Sequence, residues 1–234
     1  MKKEAYKVLH DMEDSWWYRG RETVVRNVLE KFLNDKKDEL ILDWGSGFGG
    51  MFNMLSRYGI VNAYELDGEA RNFCLSRGYK KVFNTGEEAL SSSKFSLISL
   101  FDVVEHVEDD KNLVASLYTN LVKDGRVIIT VPAYQWLWGV HDIEYHHFRR
   151  YTRKRMQKLL SNAGFEIEYS SYWNTLLFIP AAITRIFGFS GSSSFNMSPW
   201  LNRLFYGAVF IESLLIPIIS LPFGTGIVII ARKK

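Results

Sequence analysis

Ile41-Leu42-Asp43-Trp44-Gly45-Ser46-Gly47-Phe48-Gly49-Gly50 is an apolar run that ends in a carboxylate and breaks into glycines. A short apolar run bounded by glycine reads as a buried strand, and in α/β sheets ligands bind just beyond such strand ends. Glycine suits that turn because it tolerates positive φ and its missing Cβ lets a ligand approach the backbone. Two patterns overlay the stretch. Gly45, Gly47 and Gly50 fit G-x-G-x-x-G, which seats a dinucleotide pyrophosphate on a helix N-terminus. Asp43, Gly45, Gly47 and Gly49 fit D-x-G-x-G-x-G, with the carboxylate at the strand end. That carboxylate would repel an anionic pyrophosphate and attract a cofactor that carries positive charge.

Outward from this strand, short apolar runs alternate with helical patterns, the signature of a mostly parallel sheet with helices on both faces. Val24, Val25, Val28, Leu29, Phe32 and Leu33 form one stripe of a leading helix over 21–34, within an N-terminal helical segment spanning 1–36. Strands are predicted over 40–44, 62–66, 81–83, 95–100, 126–131, 165–169 and 226–231. Helices are predicted over 50–57, 68–76, 109–121 and 152–163. The 234 residues suit a single domain, 1–234, and 47% hydrophobic residues suffice for a packed core. A net charge of +3 is too small to indicate nucleic acid, and the lone Cys74 excludes an intrachain disulfide. Met1-Lys2-Lys3-Glu4-Ala5-Tyr6 has no apolar run behind its lysines, so the expected address is cytoplasmic.

A cofactor with a ribose needs an acceptor for its hydroxyls, an acid at the end of the second strand. Glu65 stands twenty residues after Gly45, the spacing such an acid has, and Asp67 competes because alternation places both on one side of the strand. Thr85-Gly86-Glu87 brings a short side chain to an adenine edge or simply caps a helix. After the fourth strand comes Phe101-Asp102-Val103-Val104-Glu105-His106-Val107, where carboxylates need a cationic or hydrogen-bonding partner.

The order from Ile41-Leu42-Asp43-Trp44-Gly45-Ser46-Gly47 through Asp102-Val103-Val104-Glu105-His106-Val107 to Gly125-Arg126-Val127-Ile128-Ile129-Thr130-Val131-Pro132 resembles a class I S-adenosylmethionine-dependent methyltransferase. The branch it resembles holds the ubiquinone-type and many bacterial small-molecule enzymes. The resemblance covers residues 15–170 and the last strand. It implies a Rossmann-like, three-layer αβα fold: a seven-stranded, mostly parallel sheet with an antiparallel last strand. S-adenosylmethionine would lie over the carboxyl ends of the first, second and fourth strands, its ammonium and sulfonium suiting Asp43. By resemblance Asp43, Gly45, Gly47 and Gly49 line the methionine moiety, with Ser46 between them. Glu65 takes the ribose and Phe101 or Asp102 the face toward substrate, and Leu66 and Thr85 are further candidates for cofactor binding. Asp14-Ser15-Trp16-Trp17-Tyr18-Arg19-Gly20-Arg21 looks like the aromatic-arginine segment of this branch. Trp17 would close over the cofactor and Arg21 would pair with its carboxylate through a planar fork, unless the tryptophans simply pack on the sheet. Enzymes that methylate exocyclic amino groups of bases carry Asn/Asp-Pro-Pro-Tyr/Phe after the fourth strand. Phe101-Asp102-Val103-Val104 is unlike it, so no nucleic-acid partner is expected.

The acceptor must sit after the fifth strand. There, His141, Asp142, Glu144, His146 and His147 place three histidines and two acids in seven residues. His141 and His146 are the candidate general bases, with Asp142 as orienting partner. Tyr134, His147, Arg149, Arg150 and Tyr151 are candidate substrate residues, the arginines for an anionic group. No metal is expected, because no second ligand segment is visible beside this loop. Transfer from a sulfonium depends mainly on in-line positioning, so a base is not obligatory.

Between the last two strands, 172–223 turns sharply apolar, and Leu204–Phe223 approaches the length of a bilayer span with Glu212 as its only charge. One crossing would leave the last strand on the wrong side, and Pro180, Arg185 and Pro217 strain a two-pass hairpin. Two readings remain: a helical cap or dimer surface, or a hairpin that dips into one leaflet and presents a lipid-linked substrate at the inner face of the membrane. The expected function is methyl transfer to an O or N atom of a small acceptor, anionic or lipid-linked. Its competitors are an NAD(P)-dependent oxidoreductase and a non-catalytic cofactor-binding module at a membrane.

Overall fold

The computed structural model describes residues 13–33, 38–186 and 197–234. In chain order they form α1 (Trp16–Phe32), β1 (Glu39–Trp44), α2 (Phe52–Leu55), β2 (Gly59–Tyr64), α3 (Gly68–Arg77), β3 (Val82–Phe83), α4 (Gly86–Ser92) and β4 (Phe95–Phe101). There follow α5 (Asp110–Asn120), β5 (Leu121–Pro132), α6 (Val140–Glu144), α7 (Arg153–Asn162), β6 (Phe165–Trp173), α8 (Phe178–Ile186), α9 (Pro199–Leu215) and β7 (Gly226–Lys233). The strands lie in the order β3-β2-β1-β4-β5-β7-β6, and β7 is antiparallel to both of its neighbours. This is the expected α/β sheet.

Successive side chains of a strand point to opposite faces, so a strand buried on both sides is apolar throughout. Leu42, Ile98 and Ile129 pack with Leu113, Val114 and Leu117 of α5 and Met156 and Leu160 of α7. Ile41, Leu97 and Ile128 pack on the other face with Val24, Val25, Val28 and Leu29 of α1. Helix starts follow side-chain caps: Ser15, Asp67, Thr85, Asp109 and Thr152 each accept a hydrogen bond from a first-turn backbone N–H.

Several boundaries differ from the sequence reading. The second strand ends at Tyr64 instead of 66, because Glu65 accepts from the Asp67 backbone N–H and Asp67 already caps α3. The helix expected over 50–57 shrinks to the single turn of α2 before the chain enters β2. Lys123-Asp124-Gly125, expected to stop a helix ahead of a strand at 126, lies inside β5. Leu121 already pairs with Phe95, and the register shifts before Arg126 meets Leu97, with Asp124 at φ 63. β6 runs on to Trp173, since its last four residues pair with β7 and are buried.

Within the insertion the described residues form the helices α8 and α9, and 187–196 lie outside the described residues. Its later helix, α9, lies on α1: Val209 faces Gly20, where an added Cβ would stand 2.9 Å from Val209 Cγ1. The Asn27 amide donates to the Ser213 carbonyl at 2.9 Å, and the Trp16 N–H donates to Asn202 Oδ1 at 2.7 Å. Glu212, the only charge in the apolar run, is buried and accepts from the Thr175 and Leu176 N–H groups. Among the described residues no helix is long and apolar enough to cross a membrane.

Candidate active site

The glycine turn follows β1. Gly45, Gly47 and Gly49 have φ of 75°, 55° and 77°, whereas Gly50 is not in the left-handed region. A Cβ at Gly45 would stand 2.7 Å from Val103 and one at Gly49 2.8 Å from Tyr79, while at Gly50 it would make ordinary contact and at Gly47 it would meet nothing within 4 Å. The glycines that the backbone requires are therefore those of D-x-G-x-G-x-G, and the helix behind them has only four residues. Such a helix offers a pyrophosphate little dipole.

Asp43 is buried at the end of β1, where it accepts from the Tyr79 hydroxyl at 2.7 Å and the Ser99 hydroxyl at 2.8 Å. Burial pushes its carboxyl up to about 6 in spite of these hydrogen bonds. Glu65 accepts from the Gly47 N–H at 2.8 Å and from the Asp67 N–H at 2.9 Å, so it closes on the turn while Asp67 serves α3. Ser46 and Cys74 sit against each other under the loop, and the Cys74 thiol bonds the Gly47 carbonyl at 3.2 Å. Burial pushes that thiol up to about 12, which makes it inert.

At the end of β4, Asp102 has φ 57, an uncommon backbone state for a residue with a side chain. Its carboxylate takes Arg21 Nη1 at 2.6 Å and the Thr130 hydroxyl at 3.1 Å. Arg21 lies over the Tyr18 ring at 4.7 Å, and its buried Nε has no hydrogen-bond partner among the described residues. The one-turn helix Val104–His106 then carries Glu105 inward: the residue is 0% exposed and neither carboxylate oxygen has a partner among the described residues. Burial and the neighbouring Asp102 push the Glu105 carboxyl well above the usual carboxylate range.

After β5 the chain turns at Tyr134, φ 57, whose ring stacks on Tyr172 at 5.1 Å. Asp142 is the hub of the loop that follows. It accepts from the Gly139 N–H at 2.8 Å, Arg150 Nε at 2.8 Å and Nη2 at 2.9 Å, and bonds His147 Nδ1 at 2.8 Å. Burial alone would raise it, but hydrogen bonds from His147 and Arg150 hold it well below the usual range. Arg185 of α8 adds a longer ion pair at 3.4 Å, and Phe178 of α8 packs on Tyr134. The His147 ring meets His106 edge-on at 4.6 Å, and one ligand atom each of Glu105, His106 and His147 lie within 4.8 Å of one another. Burial pushes both His106 and His141 down to about 4, so these rings are neutral at pH 7.

A family model described as a methyltransferase domain matches residues 16–170. The chain belongs to this methyltransferase family. The fold is similar to that of a SAM-dependent methyltransferase from Archaeoglobus fulgidus, at 17% identity and TM-score 0.59 over 91% of this chain and 94% of that one. It is also similar to the N-methyltransferase NodS from Bradyrhizobium japonicum in complex with S-adenosyl-L-homocysteine, at 12% identity and TM-score 0.60 over 95% and 90% of the two chains. A third similar structure is an S-adenosylmethionine-dependent methyltransferase from Mesorhizobium loti, at 14% identity and TM-score 0.58 over 87% and 95%. A search of curated proteins finds no match. Family membership sets aside the oxidoreductase alternative.

S-adenosylmethionine is the cofactor of such domains, and the residues of this methyltransferase fit it. Gly47 leaves its side open, and Arg21 has an unpartnered buried N–H beside the turn. Asp43, Gly45, Gly47, Gly49 and Glu65 gather at the turn, and Arg21 joins Asp102 across the end of β4. Phe101 is buried in the sheet face under α1, Trp17 packs on Trp173 at 4.5 Å, Leu66 is 70% exposed, and the Thr85 hydroxyl accepts from the Glu88 N–H as a cap.

On the acceptor side the structure corrects the expected pairings. Asp142 bonds His147, a pairing the sequence reading did not name, while His146 takes a left-handed backbone at φ 56 and is exposed. His141 stacks against Tyr145 at 4.2 Å. Arg150 is closed on Asp142, and Tyr151 is fully buried with its hydroxyl donating to Asp110 at 2.8 Å, so neither is open to a substrate. Arg149 pairs with the same Asp110 at 2.9 Å. Glu105 and His106 lie in the segment whose carboxylates the sequence showed to need a partner, but sequence reasoning gave neither residue a role.

Proposed function

We propose that this methyltransferase acts on an oxygen or nitrogen atom of a small acceptor that is lipid-linked, presented to the site by the insertion 172–223. S-adenosylmethionine supplies the activated methyl group. Asp43, the glycine turn and Arg21 hold the amino-acid end of that cofactor, and Glu65 takes its ribose hydroxyls. The acceptor reaches the ends of β4 and β5, between Asp102 and the loop organised by Asp142. Tyr134 and His147 border that space, and His141 lies in the same loop with its ring against Tyr145.

One observation carries the choice of acceptor: an apolar stripe left in water. Trp200, Leu204, Ile211, Leu215 and Ile218 are all exposed, at spacings that keep them on one side of α9 and its extension. The opposite side of α9 is the one that packs on α1. Leu176 just before α8 and Ile179 and Ile183 on it are exposed in the same way, and that helix touches the acceptor loop through Phe178 and Arg185. A helix apolar on its outer side and packed on its inner side suits a bilayer surface more than bulk water.

The test is methyl transfer from labelled S-adenosylmethionine to paired acceptors, each offered water-soluble and lipid-anchored in anionic liposomes, with sedimentation of the protein measured in parallel. Faster labelling of the anchored form, with protein on the liposomes, is expected. Protein that ignores liposomes and labels only soluble acceptors overturns the lipid-linked reading; dimerisation through α9 would identify the stripe as a subunit surface.

A further inference from the structure

We propose that Glu105, His106 and His147 bind a divalent transition-metal ion, whose open coordination positions take acceptor oxygens. Two separate segments converge: the one-turn helix after β4 brings Glu105 and His106, and the loop after β5 brings His147. Two donors that each lie about 2 Å from one ion can stand at most about 4 Å apart. The 4.8 Å limit here closes to that distance with small side-chain adjustment.

Glu105 is the observation that points to a ligand. It is wholly buried, no other described residue donates a hydrogen bond to either carboxylate oxygen, and one of them lies within 4.8 Å of a ring nitrogen of both His106 and His147. Arg21 and Arg150 are near enough to act on it electrostatically, yet neither donates to it. A buried carboxylate needs a partner, and an ion supplies one. His147 is already held as a ligand would be: Asp142 bonds Nδ1 at 2.8 Å, leaving Nε2 as the free nitrogen, and Arg150 in turn fixes Asp142. A carboxylate behind a histidine sets the tautomer and ring orientation of a metal ligand. His106 is half-buried, with its ring edge-on to His147 at 4.6 Å. Two imidazoles and one carboxylate favour zinc, manganese, iron or cobalt over magnesium or calcium, and three protein ligands leave positions for substrate.

The binding site stands on these side chains alone; its use in acceptor positioning rests on the proposed methyl transfer. The experiment takes the full chain stripped with a chelator and titrates it calorimetrically with zinc, manganese and cobalt chlorides, with and without S-adenosylhomocysteine. One ion per chain is expected, and cobalt absorption should report mixed nitrogen and oxygen ligation in the unaltered protein, independent of any variant. His106→Ala and His147→Ala should each abolish binding, and Asp142→Asn should weaken it by about 10- to 100-fold, with thermal unfolding as the folding control. Absence of binding by all three ions, or binding unchanged in both histidine variants, overturns the proposal. Homocysteine-product binding without metal binding leaves the methyltransferase reading intact and refutes the metal site; metal binding without product binding does the reverse.

Discussion

The Glu65 carboxylate accepts a hydrogen bond from the Gly47 backbone N–H at 2.8 Å, which ties the end of β2 to the glycine turn after β1. The same carboxylate takes the Asp67 N–H at 2.9 Å, so one side chain joins the glycine turn to the start of α3. Glu65→Ala frees two backbone donors, and hydrogen bonds to a charged group are worth about 1.5–3 kcal/mol. S-adenosylhomocysteine binding, measured calorimetrically, should weaken by that amount, and Glu65→Gln by less. Unaltered affinity would remove Glu65 from the site.

The glycines make separable predictions. Gly45→Ala forces a Cβ to 2.7 Å from Val103 at positive φ and should lower stability by about 1–3 kcal/mol. Gly47→Ala meets open space, so its stability loss is confined to backbone strain of about 1–2 kcal/mol while cofactor binding suffers most. Gly50→Ala should change both by no more than about 0.5 kcal/mol. Denaturant melts and cofactor titrations of the three variants check this order.

Asp43 imposes a pH dependence. Burial raises its pKa from 3.8 to about 6, so between those values the folded chain keeps a proton that the unfolded chain has released. Stability from this group is therefore complete below about pH 4 and is lost as pH rises toward 6, by at most about 3 kcal/mol. Asp43→Asn has no such proton, and the difference between wild-type and variant unfolding free energies should shift in the variant's favour across that window. A flat difference would mean that Asp43 is better solvated than its burial indicates.

Arg21 of α1 and Asp102 at the end of β4 form an ion pair at 2.6 Å. Arg21→Ala leaves the Asp102 carboxylate without its cation and should cost about 1–3 kcal/mol of stability. Arg21→Lys keeps the charge but loses the planar fork, so cofactor affinity should fall with a smaller stability loss. A double-mutant cycle with Asp102→Asn measures the coupling.

On α9, Leu204→Gln and Ile211→Gln remove apolar groups that touch solvent, so stability should stay within about 0.5 kcal/mol. Liposome sedimentation should nevertheless fall, which separates a membrane-facing role from a folding role.

The sheet and the identity of the cofactor turn were legible in the sequence, because both depend on local patterns: apolar runs, alternate glycines and a strand-end carboxylate. Tertiary structure decided what local pattern cannot encode. Gly49, not Gly50, takes positive φ, and Tyr79 and Arg77 occupy the place where its Cβ would stand. Asp67 and Glu65 share one side of the chain by alternation, and only the approach of the glycine turn assigns Glu65 to it. The loop after β5 shows three histidines in a row of polar residues, yet which of them is oriented depends on where Asp142 and Arg150 meet. Glu105 and His106 stand some forty residues from His147, and the sequence holds no trace of their meeting. It follows from β4 and β5 being hydrogen-bonded neighbours, so that the segments leaving their ends emerge side by side.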